Sequence, residues 1–456
     1  MKKIFFSIFF GAICFLPLFA DAQKGKEGSK EEKQLKAFEM TINGVKVVVQ
    51  QSGNDIVVVQ TIIKGGVENY PPEKAGIENL AMTALTECGT EKDDKNSFQN
   101  KLDRVSAQVD GGSGMDYATF TMNCIKNDFA TVWPLYVDAM TIPKFHAKEF
   151  SRIKHDAINE IKSNESNPDF AIDKMAKQAA FTGKRYSTDP TGSVETVTKF
   201  TAPDTKKYWQ SVFNRSRMLI VIVGDLDSNL IRQNVGQFLS KVPQGLPFKQ
   251  TKSTYNPQLT TFKSQSRENA TNYVQGISSG PQPGFADFNA FLLAMRIFSS
   301  RHFLEVRSKN GLSYAPGAWL SQGNTTYSNI YVTTTEPNKY IAVARQLIDK
   351  IKKEGFTEEE LKNIKTQYLT HVYYRQETND AQAGSLAFNE VVHGDWRRAN
   401  TIKDDVKKVT LEEMNNAFKK YISNITWSYQ GDPKQVTPAL YTQKETPAIP
   451  ADKKAF

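Results

Sequence analysis

The sequence contains an internal duplication. Three landmarks of the first half recur in the second half, displaced by between 207 and 211 residues. They are the pairs Phe145–Lys154 and Phe356–Lys365, Thr201 and Thr410, and Gly224-Asp225 and Gly431-Asp432. Chance similarity between helical segments can explain one such pair, but not three pairs with nearly the same displacement. The duplication predicts two copies of one fold, each of roughly two hundred residues, which is within the usual size of a domain.

Each copy mixes strand patterns with helix patterns. Val45–Gln50 and Ile56–Ile63 are rich in Val and Ile and are separated by the turn residues Ser52–Asp55, which predicts paired strands. Apolar residues then recur at helical spacing in Ile77–Leu85, Phe98–Val105, Phe150–Ile161 and Tyr208–Phe213. The second copy has predicted strands over Thr261–Ser264 and Asn272–Ser278 and predicted helices over Phe285–Phe303 and after Thr357. Because strands and helices come in runs without strict alternation, we predict an α+β fold and not a doubly wound sheet.

Composition places the domain boundaries. A stretch with prolines and glycine predicts a linker over residues 243–259, between a first domain over 38–242 and a second over 260–432. Residues 23–37 form a charged linker, and residues 433–456 form a proline-bearing tail. Both terminal segments are predicted to be poorly ordered, because they offer few apolar side chains for burial.

The first 22 residues have the pattern of a secretory signal peptide. Lys2 and Lys3 precede an apolar run over Ile4–Ala20, and small residues follow it. A single membrane anchor is the alternative, but Pro17 and the short run argue against it. A lipid anchor at Cys14 is not expected, since its cleavage site needs a small residue directly before the cysteine. We predict an exported, periplasmic protein with no membrane anchor after cleavage.

The charge balance is moderately basic. The chain has 58 Lys and Arg against 49 Asp and Glu, which is a formal net charge of +9. In an exported protein, such an excess favours solubility or weak affinity for anionic surfaces. No cluster of basic residues alternates with aromatic residues, so nucleic acid is not a predicted partner.

Two cysteines, Cys88 and Cys124, remain after removal of the signal segment. An even number in an oxidising compartment allows one disulfide, and we take a bond between these two residues as a hypothesis. In a domain of this size, two buried thiols are an equally weighted alternative.

The segment from Gly76 to Gly89 has the outline of a zinc-peptidase helix without metal ligands. In the motif H-x-x-E-H, two imidazoles one helical turn apart hold one zinc, and the Glu between them acts on its water. The corresponding positions, counted from Gly76, are Asn79, Met82 and Thr83, or in a register shifted by one residue Leu80, Thr83 and Ala84. Neither set can bind zinc, and no histidine occurs before His146.

This segment resembles the motif region of the insulinase and pitrilysin family of zinc peptidases, the inverzincins. The family's distal zinc ligand is a Glu in the position of Glu160, which lies 77 residues after Thr83. One carboxylate cannot hold a zinc ion by itself. We therefore expect no bound metal and no cofactor, and we expect the remaining histidines to be surface or packed residues, since they lack partners at ligand spacing.

A second segment of the same family is similar to Ser299–Tyr314. In the family, an Arg and a Tyr seven residues apart face the zinc, and Arg307 and Tyr314 have that spacing. The resemblance implies that these two side chains bind the substrate backbone and polarise the scissile carbonyl as preorganised donors. The alternative is purely structural, with an Arg in a surface ion pair and a Tyr packed in a strand.

A third, glycine-rich segment covers Ala107–Gly114. It occupies the place of the family's edge strand that pairs with substrate, which implies peptide-binding roles for Val109, Gly111, Gly112 and Ser113. Glycines let another backbone approach closely, as addition of a peptide strand requires. A plain bulge or turn is an equally weighted alternative.

The resemblance spans about Phe38 to Gly431, and full-length family members have two such halves that close into a chamber. We therefore predict two homologous domains that form one half of a clamshell chamber. The predicted function is a non-catalytic subunit of an exported two-chain zinc metallopeptidase that degrades or processes peptides. It would lend Arg307 and Tyr314 to a half-size, zinc-bearing partner and would be inactive alone.

Two alternatives remain open at this point. The first is a peptide-binding or scaffold protein with no proteolytic role. The second is an independent hydrolase with relocated ligands, which the absence of histidine near the motif disfavours.

Overall fold

The computed structural model describes residues 36–449. The predicted signal segment and nearly all of the charged linker lie outside the described residues, as does the end of the tail. None of the helices within 36–449 is both long enough and apolar enough to span a bilayer.

The first half builds a six-stranded sheet with the strand order β1-β2-β6-β3-β5-β4. Its strands are β1 (Ala37–Ile42), β2 (Val45–Gln50), β3 (Ile56–Lys64), β4 (Gln108–Gly112), β5 (Tyr117–Ile125) and β6 (Met218–Val223). Its helices are α1 (Ile77–Glu87), α2 (Lys95–Asp103), α3 (Phe129–Thr141), α4 (Ala147–Ser166), α5 (Pro168–Ala180), α6 (Val194–Lys199), α7 (Ala202–Val212) and α8 (Ser228–Ser240). The pair β2 and β6 is parallel, and the other pairs are antiparallel. The predicted pairing of Val45–Gln50 with Ile56–Ile63 is wrong, because β6, which is distant in sequence, lies between these two strands.

The second half repeats this plan with a five-stranded sheet in the order β7-β11-β8-β10-β9. Its strands are β7 (Thr261–Ser266), β8 (Asn272–Ser279), β9 (Gly317–Ser321), β10 (Tyr327–Thr334) and β11 (Thr426–Gly431). Its helices are α9 (Phe288–Phe303), α10 (Pro337–Glu354), α11 (Glu358–Tyr374), α12 (Asn379–Phe388), α13 (Arg398–Lys408), α14 (Leu411–Tyr421) and α15 (Ala439–Thr442). Here β7 pairs in parallel with β11, as β2 does with β6. The prediction of an α+β fold built from two similar domains is confirmed.

The repeated threonine landmark has a local physical cause. Thr201 and Thr410 are the N-cap residues of α7 and α14, and each forms a reciprocal capping box with an acidic residue three positions later. The predicted capping box of Thr357 and Glu360 begins α11 in the same way. Each box satisfies backbone N–H groups that the first helical turn leaves without partners.

The two halves exchange helices across their sheets. Helix α5 of the first half packs on β8 and β11, and helix α12 of the second half packs on β3 and β6. The contact at α12 is apolar, and it buries Leu386 and Ala387 together with Val58 and Leu219 of the first sheet. Separating the halves would expose both apolar faces, so the exchange holds the two copies together.

The segment after Pro433 is ordered as far as residue 449, so the prediction of a poorly ordered tail is wrong there. The Tyr441 side chain is buried, and its ring lies 4.7 Å from that of Phe262. Its hydroxyl donates to the Pro337 carbonyl at 3.0 Å, and Arg345 donates to the Leu440 carbonyl at 3.0 Å. Tyr441, together with Val436 and the partly buried Leu440, supplies the buried surface that the composition of the tail did not suggest.

The disulfide hypothesis is also wrong. Cys88, at the end of α1, and Cys124, on β5, are both free thiols buried in the core of the first half. The alternative of two buried thiols is the arrangement observed.

Candidate functional site

The segment that resembles a zinc-peptidase motif forms α1. It begins after Gly76, which has a φ of +92°, and a Cβ there would lie 2.8 Å from the Thr191 carbonyl oxygen. Both the positive φ and the close backbone therefore require glycine. Gly76, from which the motif positions were counted, is therefore the N-cap residue at which this helix begins.

The three motif positions on α1 carry packing and backbone contacts. Met82 is 1% exposed and packs against Gly111 of β4. A Cβ added at Gly111 would lie only 3.1 Å from the Met82 methyl carbon. The Thr83 hydroxyl donates to the Asn79 carbonyl at 3.0 Å, within the helix itself. In the shifted register, Leu80 and Ala84 are buried in the core of the first half. These side chains support the helix and offer zinc no imidazole or carboxylate.

Glu160, the predicted counterpart of the distal ligand, lies on α4 with an exposed side chain. Helix α4 packs against α1. Within residues 36–449, no three His, Cys, Asp or Glu side chains lie close enough together to share a metal ion. The expected lack of bound zinc remains a prediction for metal analysis.

Helix α1 also carries a buried carboxylate that the sequence analysis missed. Glu78 is 1% exposed, and its Oε2 accepts hydrogen bonds from the Tyr208 hydroxyl and, at 3.1 Å, from the Asn69 amide. Its Oε1 has no partner among the described residues. Burial raises the pKa of Glu78 to about 7. The sequence contained a signal for this burial. Glu78 lies three residues before Ala81 and four before Met82, which places its side chain on the same apolar face of the helix.

The glycine-rich segment forms the edge strand β4, which is hydrogen-bonded only to β5 in the described sheet. A Cβ on Gly111 would lie 2.9 Å from the Met82 carbonyl oxygen, so glycine is needed where β4 lies against α1. Val109 is buried, and Gly112 has open space around it. The Ser113 hydroxyl lies 3.4 Å from the Asn79 side-chain oxygen. The edge of β4 that faces away from β5 is not paired with another strand of the described sheet.

Arg307 and Tyr314 are in direct contact. Arg307 lies in the π-helical turn Leu304–Lys309 that continues α9, and its guanidinium carbon is 4.2 Å from the centroid of the Tyr314 ring. On its other side, Phe303 has its ring centroid 5.1 Å from the same carbon. Contacts of this length are cation–π interactions, and they restrict the orientation of the guanidinium.

This geometry differs from the purely structural alternative for the pair. Tyr314 lies in a bend with 78% of its surface exposed, outside any strand. Among residues 36–449, no carboxylate forms an ion pair with Arg307. The structure therefore shows an exposed Tyr314 ring with the Arg307 guanidinium stacked on it.

Two segments of this chain match family models of known peptidases. Residues 46–190 match Insulinase (peptidase family M16), and residues 199–368 match the peptidase M16 inactive domain. The first match lies within the first copy of the fold, and the second begins near the end of the first copy and extends into α11 of the second copy. The chain belongs to the M16 peptidase family and is of its inactive, peptidase-homologue type.

Relatives and solved structures agree with this assignment. The chain is 20% identical over 386 residues to the uncharacterized zinc protease YmxG of Bacillus subtilis, covering 83% of this chain and 93% of that protein. It is 20% identical over 412 residues to the non-peptidase homolog YmxG of Helicobacter pylori, and the match covers 86% of this chain and 94% of that protein. The structure of the periplasmic protease PqqL from Escherichia coli superposes with a TM-score of 0.76 at 15% identity, covering 94% of this chain and 49% of that one. At this identity, the likeness to PqqL shows the fold alone.

Proposed function

We propose that this protein is the non-catalytic subunit of an exported two-chain zinc metallopeptidase that degrades or processes peptides. In this role, Arg307 and Tyr314 reach into the active site of a half-size M16 partner that carries the zinc. The observation that carries the proposal is the exposed stacking of Arg307 on Tyr314, combined with an α1 helix that has no metal ligands.

The chemistry of the pair suits a peptide substrate. A guanidinium and a phenol are fixed hydrogen-bond donors, and donors aimed at the carbonyl oxygen stabilise the negative charge that develops there during hydrolysis. Arg307 is restricted by Phe303 and Tyr314 before any ligand arrives, so little rotamer entropy is lost on binding. Because Asn79, Met82 and Thr83 offer zinc no imidazole or carboxylate, the proposal assigns the zinc-bound water that attacks the peptide to a second subunit.

Strand β4 supplies the second part of the proposal. An unfolded peptide would add to its free edge along Val109, Gly111, Gly112 and Ser113, with backbone hydrogen bonds to alternate residues. We further propose export to the periplasm, supported by the apolar segment before Ala22 and by the periplasmic location in the description of PqqL.

A peptide-binding or scaffold protein without a proteolytic role is the second candidate. The observation in its favour is the free edge of β4, which can bind a peptide whether or not a zinc-bearing subunit is present. The name of the Helicobacter pylori relative, a non-peptidase homolog, is compatible with it.

The test is peptidase activity of the chain mixed with a half-size M16 protein that has an intact H-x-x-E-H motif and is encoded beside it. Arg307→Ala and Tyr314→Phe should each lower turnover by on the order of a hundredfold, because each removes one donor to the developing oxyanion. Arg232→Ala and Tyr374→Phe remove the same groups from other exposed positions and should leave turnover unchanged.

Complex formation is measured separately for every variant by analytical ultracentrifugation. Lost turnover with an intact complex supports the catalytic-subunit proposal. Full activity of the double variant Arg307→Ala, Tyr314→Phe would eliminate that proposal and leave the binding or scaffold role.

A further inference from the structure

The second half of the chain contains a cavity of about 520 Å³ that is partly open to solvent. Its walls come from helices α9, α11, α12 and α13 and from the π-helical turn Asn389–His393 that follows α12. This volume is within the range of cavities that hold small molecules. None of the residues proposed above for peptide binding or catalysis lines it.

Three arginines line this cavity: Arg296 from α9, Arg375 at the end of α11 and Arg398 at the start of α13. No Asp or Glu is among the described residues of the lining, and none of the three arginines forms an ion pair within residues 36–449. Like charges that converge without an anion repel one another, and a buried guanidinium N–H without a partner costs free energy. The cavity therefore holds uncompensated positive charge.

Individual atoms of the lining show where hydrogen-bonding capacity is unused. The Nε atoms of Arg296 and Arg398 are buried, as is the Nδ1 atom of His393, and none has a hydrogen-bond partner among the described residues. Burial and the neighbouring Arg398 and Lys252 lower the pKa of His393 to about 3, so its ring is neutral at physiological pH. Buried polar atoms in native proteins nearly always have partners, which points to a partner from outside the chain.

The remaining walls of the cavity are largely apolar. Phe288, Leu292, Val372 and Phe388 line it, together with Tyr368, whose ring centroid lies 4.9 Å from the guanidinium carbon of Arg296. This stacking holds Arg296 in place at the cavity wall. A small inorganic anion would satisfy the arginines but would leave the apolar walls in contact with water.

We propose that the cavity binds an apolar molecule that carries one carboxylate, with the carboxylate among Arg296, Arg375 and Arg398. The guanidinium fork matches the two carboxylate oxygens, and the apolar body fills the space between α9, α11 and α12. Two sources share this chemistry: the C-terminal end of an apolar peptide and a free aliphatic acid. The proposal is independent of whether the chain serves a zinc peptidase.

The test is calorimetric titration of the purified chain with two acid probes and their uncharged matches. The probes are octanoate and N-acetyl-Leu-Phe, and the matches are octanamide and N-acetyl-Leu-Phe-amide. We expect at least one acid to bind about tenfold or more tightly than its amide, because the amide cannot form charge-assisted hydrogen bonds. Tight binding of the peptide acid identifies a peptide C-terminus as the ligand class, and tight binding of octanoate identifies an aliphatic acid.

Variants then locate the binding. Arg375→Gln should lower the affinity for the tighter-binding acid about tenfold or more. The side chain of Arg375 is exposed, so no folding defect is expected in this variant. Arg398→Gln is the second variant, with its fold checked by thermal unfolding, and Arg232→Gln on α8 is the control that should bind like wild type. Equal binding of acid and amide, no measurable binding of either acid at millimolar concentration, or unchanged affinity in Arg375→Gln would overturn the proposal.

Discussion

The Tyr186 hydroxyl donates a buried hydrogen bond of 2.7 Å to the carboxylate of Asp116. Asp116 precedes β5, and its other carboxylate oxygen accepts from the backbone N–H of Asn324, in the turn between β9 and β10, at 3.1 Å. The N–H of Thr325 donates to the Tyr186 hydroxyl at 3.1 Å. The hairpin β4–β5 and its repeat β9–β10 thus meet through one carboxylate. Gly323 is required there, because a Cβ would lie 2.5 Å from the Tyr186 hydroxyl oxygen.

The first prediction concerns this junction. Asp116→Ala should lower the free energy of unfolding by about 2 kcal/mol or more, because it leaves the Tyr186 hydroxyl and the Asn324 N–H buried without an acceptor. Chemical denaturation measures the change. Asp103→Ala, at an exposed position at the end of α2, is the control and should be nearly neutral. Equal stabilities of the two variants would contradict the proposed importance of the junction.

The second prediction concerns the pH dependence of Glu78. Its pKa in the folded chain is raised from 4.5 to about 7, so between these values the folded state holds a proton that the unfolded state has released. The wild type should therefore lose stability as the pH rises through this window. Glu78→Gln stays neutral throughout, and its stability relative to wild type should improve by roughly 3 kcal/mol between pH 4 and pH 8.

Denaturant unfolding at several pH values checks this expectation. Glu73→Gln changes an exposed carboxylate and serves as the control, since its pH profile should parallel that of the wild type. If the Glu78→Gln profile also runs parallel to the wild type, the buried carboxylate does not hold its proton as described.

The third prediction concerns the two thiols. Burial raises the pKa of Cys88 to about 12 and that of Cys124 to about 11. Because only the thiolate is strongly nucleophilic, neither residue should react with an alkylating reagent at pH 8 in the folded chain, and both should react after denaturation. Mass spectrometry of non-reduced peptides measures the modification at each site. A peptide pair linked through Cys88 and Cys124, or rapid labelling of the folded chain, would refute this expectation.

The fourth prediction concerns zinc. With Asn79, Met82 and Thr83 at the motif positions, the purified chain alone should hold no stoichiometric zinc and should cleave no unfolded peptide. Elemental analysis after dialysis against a weak chelator measures the metal content, and the zinc-bearing partner serves as the positive control. One tightly held zinc per chain that disappears in Glu160→Gln would show that other residues complete a site.

Much of the architecture could be predicted from local sequence patterns. The capping boxes at Thr201 and Thr410, and the apolar strands that end near Gly224 and Gly431, mark corresponding elements of the two copies. Capping and strand formation depend on residues a few positions apart, so their patterns are visible in the sequence. The same holds for the glycine that begins α1 and for the absence of imidazoles on that helix.

The candidate sites were only partly predictable. The seven-residue spacing of Arg307 and Tyr314 was visible in the sequence, but their stacking depends on a π-helical turn that the spacing did not indicate. The ordered tail was missed because burial of Tyr441 depends on Phe262 and Pro337, more than a hundred residues earlier in the chain. The composition of the tail contains no information about that contact.

The tertiary structure alone decided which elements from the two copies meet. The sequence by itself determined that there are two copies, where several of their helices and strands lie, and that α1 has no zinc ligands. Periodicity marks an apolar helix face but not the sheet that the face will cover, so the exchange of α5 and α12 was not visible. Arg296, Arg375 and Arg398 converge, and Asp116 meets Tyr186, only because packing brings together helices and turns that are distant in the chain.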